Sequence, residues 1–85
     1  MIIPLSQLEK GAAGIIQEVK AAYSTDQIAQ RLRELGFLPG ELVRVTARAP
    51  VSADPLLVQI GATCFALRNT EAARVLVTEY TSHDA

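Results

Sequence analysis

A helix cannot continue through Gly36-Phe37-Leu38-Pro39-Gly40, and the chain on either side of that break constrains the architecture more than any other stretch. Upstream, Ile28, Leu32 and Leu35 recur at i, i+4 and i+7, the spacing of one apolar helical stripe. Gln30, Arg31, Arg33 and Glu34 fall mostly off that stripe. Ser24, Thr25 and Asp26 offer cap oxygens, and Ser24 with Gln27 has capping-box spacing, so one long helix is predicted between Ser24 and Gly36. Gly36 suits the left-handed position that ends a helix without a Cβ penalty. Pro39-Gly40 then fits the two central positions of a type II turn, proline presetting φ and glycine supplying a positive φ. Beyond it, in Glu41–Arg48, Val43, Val45 and Ala47 alternate with Arg44, Thr46 and Arg48, the pattern of a half-buried strand.

The remaining pieces are short and turn-bounded. Ser6–Glu9 has capping-box spacing and reads as one helical turn pinned by Leu5 and Leu8, closed by Gly11. Gly14–Val19 is β-branched and reads as a strand. Ala49–Pro55 is a loop, with two prolines flanking Ser52 and Asp54. Leu56–Ile60 and Cys64–Arg68 form a hairpin around Gly61-Ala62, with Leu56, Val58 and Ile60 on one face and Phe65 and Leu67 together on the returning strand. Asn69 can cap a turn over Thr70–Ala73, and Arg74–Tyr80 closes the set. About five strands joined by tight turns, with one helix after the first, predict a mainly β protein. Curling into a small five-stranded barrel, SH3-like or OB-like, would remove its exposed edges.

At 85 residues there is room for one domain, expected over residues 1–80 with a mobile tail over 81–85. A chain of this size buries only about 60–65% of its unfolded surface, so its stability margin is thin. Hydrophobic residues make up 49% and charged ones 20%, a folded rather than disordered composition. Eight basic against nine acidic residues give a net charge of −1, which argues against a nucleic-acid partner, since phosphate neutralisation carries most of that affinity. Cys64 is the lone cysteine, so no internal disulfide forms and a reducing compartment is expected. Met1–Gly11 lacks the basic start and apolar run of a signal peptide, and no run approaches ~18 apolar residues. A cytoplasmic chain without a membrane span is the expectation.

With these landmarks in order, the chain resembles the FeoA family, small cytosolic accessory proteins of bacterial ferrous-iron uptake. The resemblance rests on Leu5, Leu8 and Gly11, then Leu32, Leu35, Gly36 and Gly40, then Pro50, Asp54, Pro55, Leu67, Arg68, Glu71 and Ala72. It runs from Pro4 to Val77. It implies an SH3-like barrel that binds the cytoplasmic face of FeoB, a permease with a GTP-binding domain, and supports or regulates iron transport. A related barrel occurs in iron-dependent repressors, but no DNA-reading helix-turn-helix precedes it here.

Candidate chemistry is sparse, and no enzyme is expected. Nucleophilic catalysis needs a nucleophile beside a base, and Cys64 is far in sequence from the only histidine, His83. A buried or half-buried structural thiol is the expected role of Cys64. No cofactor and no internal metal site are expected: His83 and Asp84 could join a neighbouring molecule's carboxylates around an adventitious ion. Gly11 and Gly14 precede a strand, whereas a phosphate-binding loop follows one. Arginine supplied to a GTPase in trans stabilises transition-state charge, which makes Arg31, Arg33, Arg44, Arg48, Arg68 and Arg74 candidates. For Arg68 the resemblance implies a plainer role, holding the turn after it. The partner-binding candidates are Leu35, Gly36, Phe37, Leu38, Pro39 and Gly40, together with the loop at 50–55, because an apolar anchor ringed by polar residues suits a docking face. Gly11, Asp54, Pro55, Gly61 and Arg68 are expected to shape turns. The expected function is a docking accessory of a ferrous-iron permease. The alternatives are an iron sensor or metallochaperone and a small-barrel nucleic-acid binder, and weak pairing of two copies along a strand edge also fits.

Overall fold

The computed structural model describes residues 1–52 and 54–81. Its elements are β1 (Ile2–Pro4), a 3-10 turn (Leu5–Gln7), β2 (Ala13–Val19), α1 (Gln27–Leu35), β3 (Leu42–Arg48), β4 (Leu56–Ile60), β5 (Thr63–Leu67), α2 (Asn69–Ala72) and β6 (Val75–Tyr80). Six strands form one antiparallel sheet in the order β1-β6-β2-β3-β4-β5. The expected count of five is corrected by β1, a three-residue strand ending in Pro4 that aligns on β6. So short a segment with a proline carries no strand pattern of its own. The expected removal of edges is also incomplete, because β1 and β5 remain the two ends of the ladder.

One face of the sheet surrounds a single core that includes Leu5, Leu8, Ile16, Phe37, Val43, Val45, Leu56, Val58, Val75 and Val77. Register shifts at Gln17 in β2 and Thr46 in β3 bend these strands, and each moves the alternation by one residue. After Gln17, Val19 turns inward three residues beyond Ile16, opposite Val75. After Thr46, Arg48 pairs with the fully buried Leu56 and so shares its inner face. The expected grouping of Arg48 with Arg44 and Thr46 on the outer face is therefore wrong, and the bulge is the reason. Inside, the Arg48 guanidinium donates to the carbonyls of Ser6, at 2.7 Å, and Leu8, pinning the 3-10 turn beneath the sheet. It also reaches the Asn69 side-chain oxygen at 3.4 Å.

Three turns are built from local backbone geometry and single hydrogen bonds. Gly40 has φ of 92° and the Glu41 N–H donates to Leu38 O at 3.1 Å, closing the turn around Pro39-Gly40. Gly61 opens the two-residue β4–β5 hairpin at φ of 59°. Asp54, in a cis peptide with Pro55, accepts from the Asn69 N–H at 2.9 Å, so a carboxylate from another loop caps α2. Asn69 was expected to be the cap itself, but the capped position is Arg68. Its backbone N–H donates to the Glu71 carboxylate at 2.7 Å, and its own side chain has nothing to accept with. Cys64 is exposed, not buried as expected, because it points opposite to Phe65 and Leu67 and emerges beside Gln59. The tail expected to be mobile, together with His83 and Asp84, lies from residue 82 onward outside the described residues.

Gly14 is a closer fit than its sequence context suggests. A Cβ there would lie 2.9 Å from both Cβ and Cγ2 of Val77 on the paired strand β6. Gly14→Ala is expected to cost about 1–3 kcal/mol through overpacking, measured as a lower urea midpoint with an unchanged slope.

Candidate functional site

The site candidate is built around α1 and the turn that follows it. Asp26, not Ser24, caps the helix: its Oδ1 accepts from the N–H groups of Ile28 at 3.0 Å and Ala29 at 3.2 Å. Its Oδ2 accepts from the Ala22 N–H at 2.8 Å and from Arg74 Nε at 2.5 Å. Arg74 in turn donates to Thr70 O at 2.7 Å. The carboxylate is closed off from solvent, so helix start, preceding loop and the entry to β6 are tied at one charged point. Burial by itself would raise the Asp26 pKa. The Arg74 hydrogen bond, the Ala22 and Ala29 amides and the Arg74 charge outweigh it and take the group from 3.8 down to about 2. The same bond holds the Arg74 guanidinium above its usual value.

The helix does not bury the stripe expected of it. Ala29 and Leu32 face the core, Ile28 is half-buried, and Leu35 is 40% exposed. At the far end Gly36, at φ of 114°, closes the helix with paired bonds, its own N–H to Arg33 O and the Phe37 N–H to Leu32 O, each 3.1 Å. This geometry sends the next two side chains opposite ways. Phe37 is wholly buried and packs on Phe65, with ring centroids 5.4 Å apart at 52°. Leu38 stands 48% exposed. The turn carrying it is stitched to β2 by Gly40 N–H to Ile16 O at 2.8 Å and Ile16 N–H to Glu41 O at 2.9 Å. Leu38 is thus an apolar side chain displayed on a rigid backbone. Phe37, named with it from sequence as a contact residue, is the core plug that holds the display in place. At the loop, Val51 is fully displayed, and the Ser52 hydroxyl donates to Asp54 O at 2.9 Å.

Four of the six candidate arginines are engaged within the molecule. Arg74 serves Asp26, Arg48 serves Ser6 and Leu8, Arg33 donates to Val19 O at 2.8 Å, and Arg44 donates to Gly11 O at 2.8 Å. The Arg31 and Arg68 residues are exposed. Sequence reasoning missed Arg48 and Arg74 as structural clamps, and no local signal marks either, since their partners lie 40 and 48 positions away. Among the described residues, no three His, Cys, Asp or Glu side chains gather as a metal site, and no helix is long and apolar enough to cross a membrane.

A family model described as the FeoA domain matches residues 3–79. No curated protein sequence matches significantly. Among solved structures, FeoA of Stenotrophomonas maltophilia is 49% identical, with a TM-score of 0.84 and 89% of each chain covered. That protein was crystallised with zinc and is described as a prokaryotic SH3 domain protein and candidate activating factor of bacterial ferrous iron transport. A second crystal structure, of FeoA described as an iron uptake regulatory protein, is 28% identical with a TM-score of 0.76, over 94% of this chain and 99% of that one. A manganese-dependent transcriptional repressor, 19% identical with a TM-score of 0.78, shares the fold alone, over 93% of this chain and 42% of the repressor. The curled sheet described above is SH3-like, and with a family model spanning nearly its whole length this chain belongs to the FeoA family.

Proposed function

We propose that this chain is a cytoplasmic, non-enzymatic accessory of ferrous-iron uptake that docks on the cytoplasmic, GTP-binding part of a FeoB permease. The observation that carries this reading is Leu38, half-exposed on a turn fixed to the sheet by two hydrogen bonds, with exposed Leu35 three residues before it. An apolar anchor that needs no ordering on binding loses little entropy when it docks. Membership of a family with a member described as a candidate activating factor of bacterial ferrous iron transport supports a partner in that transport. If docking accelerates GTP hydrolysis, Arg31 and Arg68 are the arginines with side chains not already engaged in the bonds described above.

The test is capture of the full-length permease in nanodiscs by the intact chain and by Leu38→Asp. A surface change of this kind leaves stability within about 0.5 kcal/mol, while affinity is expected to fall about tenfold or more. Undiminished capture by Leu38→Asp removes the turn from the interface. Absence of capture by the unaltered chain removes the docking reading.

A second reading, an iron sensor or metallochaperone, has the zinc in the Stenotrophomonas maltophilia structure in its favour. Stoichiometric binding of ferrous iron in anaerobic calorimetry, retained by a chain ending at residue 80, would establish it over docking.

A further inference from the structure

The two ends of the sheet are built differently. β1 is three residues long and ends in proline, two devices that stop an edge from recruiting another strand. β5, at the other end, reads Thr63-Cys64-Phe65-Ala66-Leu67: five residues with no charge, no proline and no register shift against β4. Nothing in its sequence discourages a further strand.

The main-chain groups that point off this edge follow from bonds further inside. Val45 commits both N–H and C=O to the β2 side, bonding Ala12 O at 3.0 Å and the Gly11 N–H at 2.7 Å. Adjacent residues on a strand bond to opposite sides, so Arg44 bonds toward Gln59 on β4, and Val58 and Ile60 bond toward Phe65 and Thr63 on β5. Cys64 and Ala66 therefore aim their N–H and C=O groups away from the sheet. Both residues are exposed, and neither main chain has a hydrogen-bond partner outside the sheet ladder among the described residues.

Beside this edge runs a groove of about 810 Å³ between α1 and β5. Ile28, Leu35 and Phe65 give it apolar walls, and Arg31, Glu34 and Glu71 add one positive and two negative charges. A strand advances about 3.4 Å per residue, sits about 4.8 Å from its neighbour and needs about 10 Å between packed layers, so five residues fill about 800 Å³. The groove has room for one such segment and meets β5 along Phe65, Ala66 and Leu67. A second copy pairing β5 on β5 would bring its own α1 alongside that strand, where the first copy's α1 already stands.

We propose that β5 takes up an extended segment of a partner protein as a seventh strand, lying in the groove against α1. The main chain of that segment bonds the outward N–H and C=O groups of Cys64 and Ala66. Its alternate side chains enter between Ile28, Leu35 and Phe65, so it is proline-free and apolar at every second position. This rests on the docking reading and states how the partner is held.

Hydrogen exchange of the intact chain, alone and with the full-length permease in nanodiscs, tests it. Bound permease is expected to slow exchange about tenfold or more at the amides of Cys64 and Ala66, leaving Thr63, Phe65 and Leu67, already bonded to β4, unchanged. Ala66→Pro removes one outward donor at a position where an edge tolerates proline, and is expected to weaken capture about tenfold with an unchanged melting temperature. A complex that forms without protection at residues 64 and 66 overturns the seventh strand and leaves docking standing. No complex at all overturns both. The same alternating protection in the chain alone, rising with concentration, identifies a second copy as the occupant and overturns the partner segment. Should Ala66→Pro fail to fold, the exchange pattern of the unaltered chain decides the question.

Discussion

Phe37→Ala is expected to lower the free energy of unfolding by about 3–5 kcal/mol, the range for emptying a fully enclosed aromatic site. Folded domains hold roughly 0.05–0.15 kcal/mol per residue, so a chain this short has on the order of 4–13 kcal/mol to lose. The variant therefore sits near the edge of folding. Phe37 is wholly buried, packs on Phe65 of an edge strand, and follows directly on the glycine that ends α1. Its loss unseats the helix end, the turn and β5 together. Urea unfolding followed by far-ultraviolet circular dichroism gives the magnitude, and a midpoint within 10% of the parent's would show that Phe37 does not anchor this corner. Because Leu38→Asp is expected to leave the midpoint unchanged, the adjacent pair separates anchoring from display.

Arg74→Met is expected to raise the pH at which the protein unfolds in acid by about one unit or more, the scale on which a close opposite charge moves a carboxylate. In the unaltered protein the Asp26 pKa lies at about 2 against 3.8 for an unperturbed group. A carboxylate with a depressed native pKa contributes stability that is complete above its unfolded value, and that contribution fades as pH falls from about 4 through 2. Without Arg74 the enclosed carboxylate keeps its helix N–H donors but loses its counter-charge, while burial still raises its pKa. It then takes up a proton at higher pH, and the helix start loses its tie to β6. The carboxyl carbon shift of Asp26, followed by nuclear magnetic resonance between pH 1.5 and 6, reports the native pKa directly. A value near 4 in the unaltered protein would dismiss the clamp.

What was legible in the sequence shares a physical origin. Gly36, Gly40 and Gly61 each sit at positive φ, and the need for such a backbone is set by a few neighbouring residues. Glycine or Pro-Gly at those points therefore declares the turn without reference to the rest of the molecule. Alternation in Leu56–Ile60 and in Phe65 and Leu67 was read correctly for the same reason, since neither strand carries a bulge. The exposed side of β5 followed from that alternation as well, although Cys64 was expected to be covered.

Side-chain destinations that depend on distant partners were not legible. Thr46 looks like any strand residue, yet the bulge there turns Arg48 from the water face to the inside. Ser24, Thr25 and Asp26 are equivalent caps on local rules, and Arg74, 48 positions on, selects Asp26 by offering a counter-charge. Phe37 and Leu38 are adjacent apolar residues that one left-handed glycine sends to opposite environments. The amino-acid sequence by itself determined where this chain turns and which of its longer stretches are strands, because those are consequences of backbone freedom over a few residues. Only the tertiary structure decided which charges are clamps, which leucine is displayed and which sheet edge lies open, because each depends on what the fold brings alongside from far along the chain.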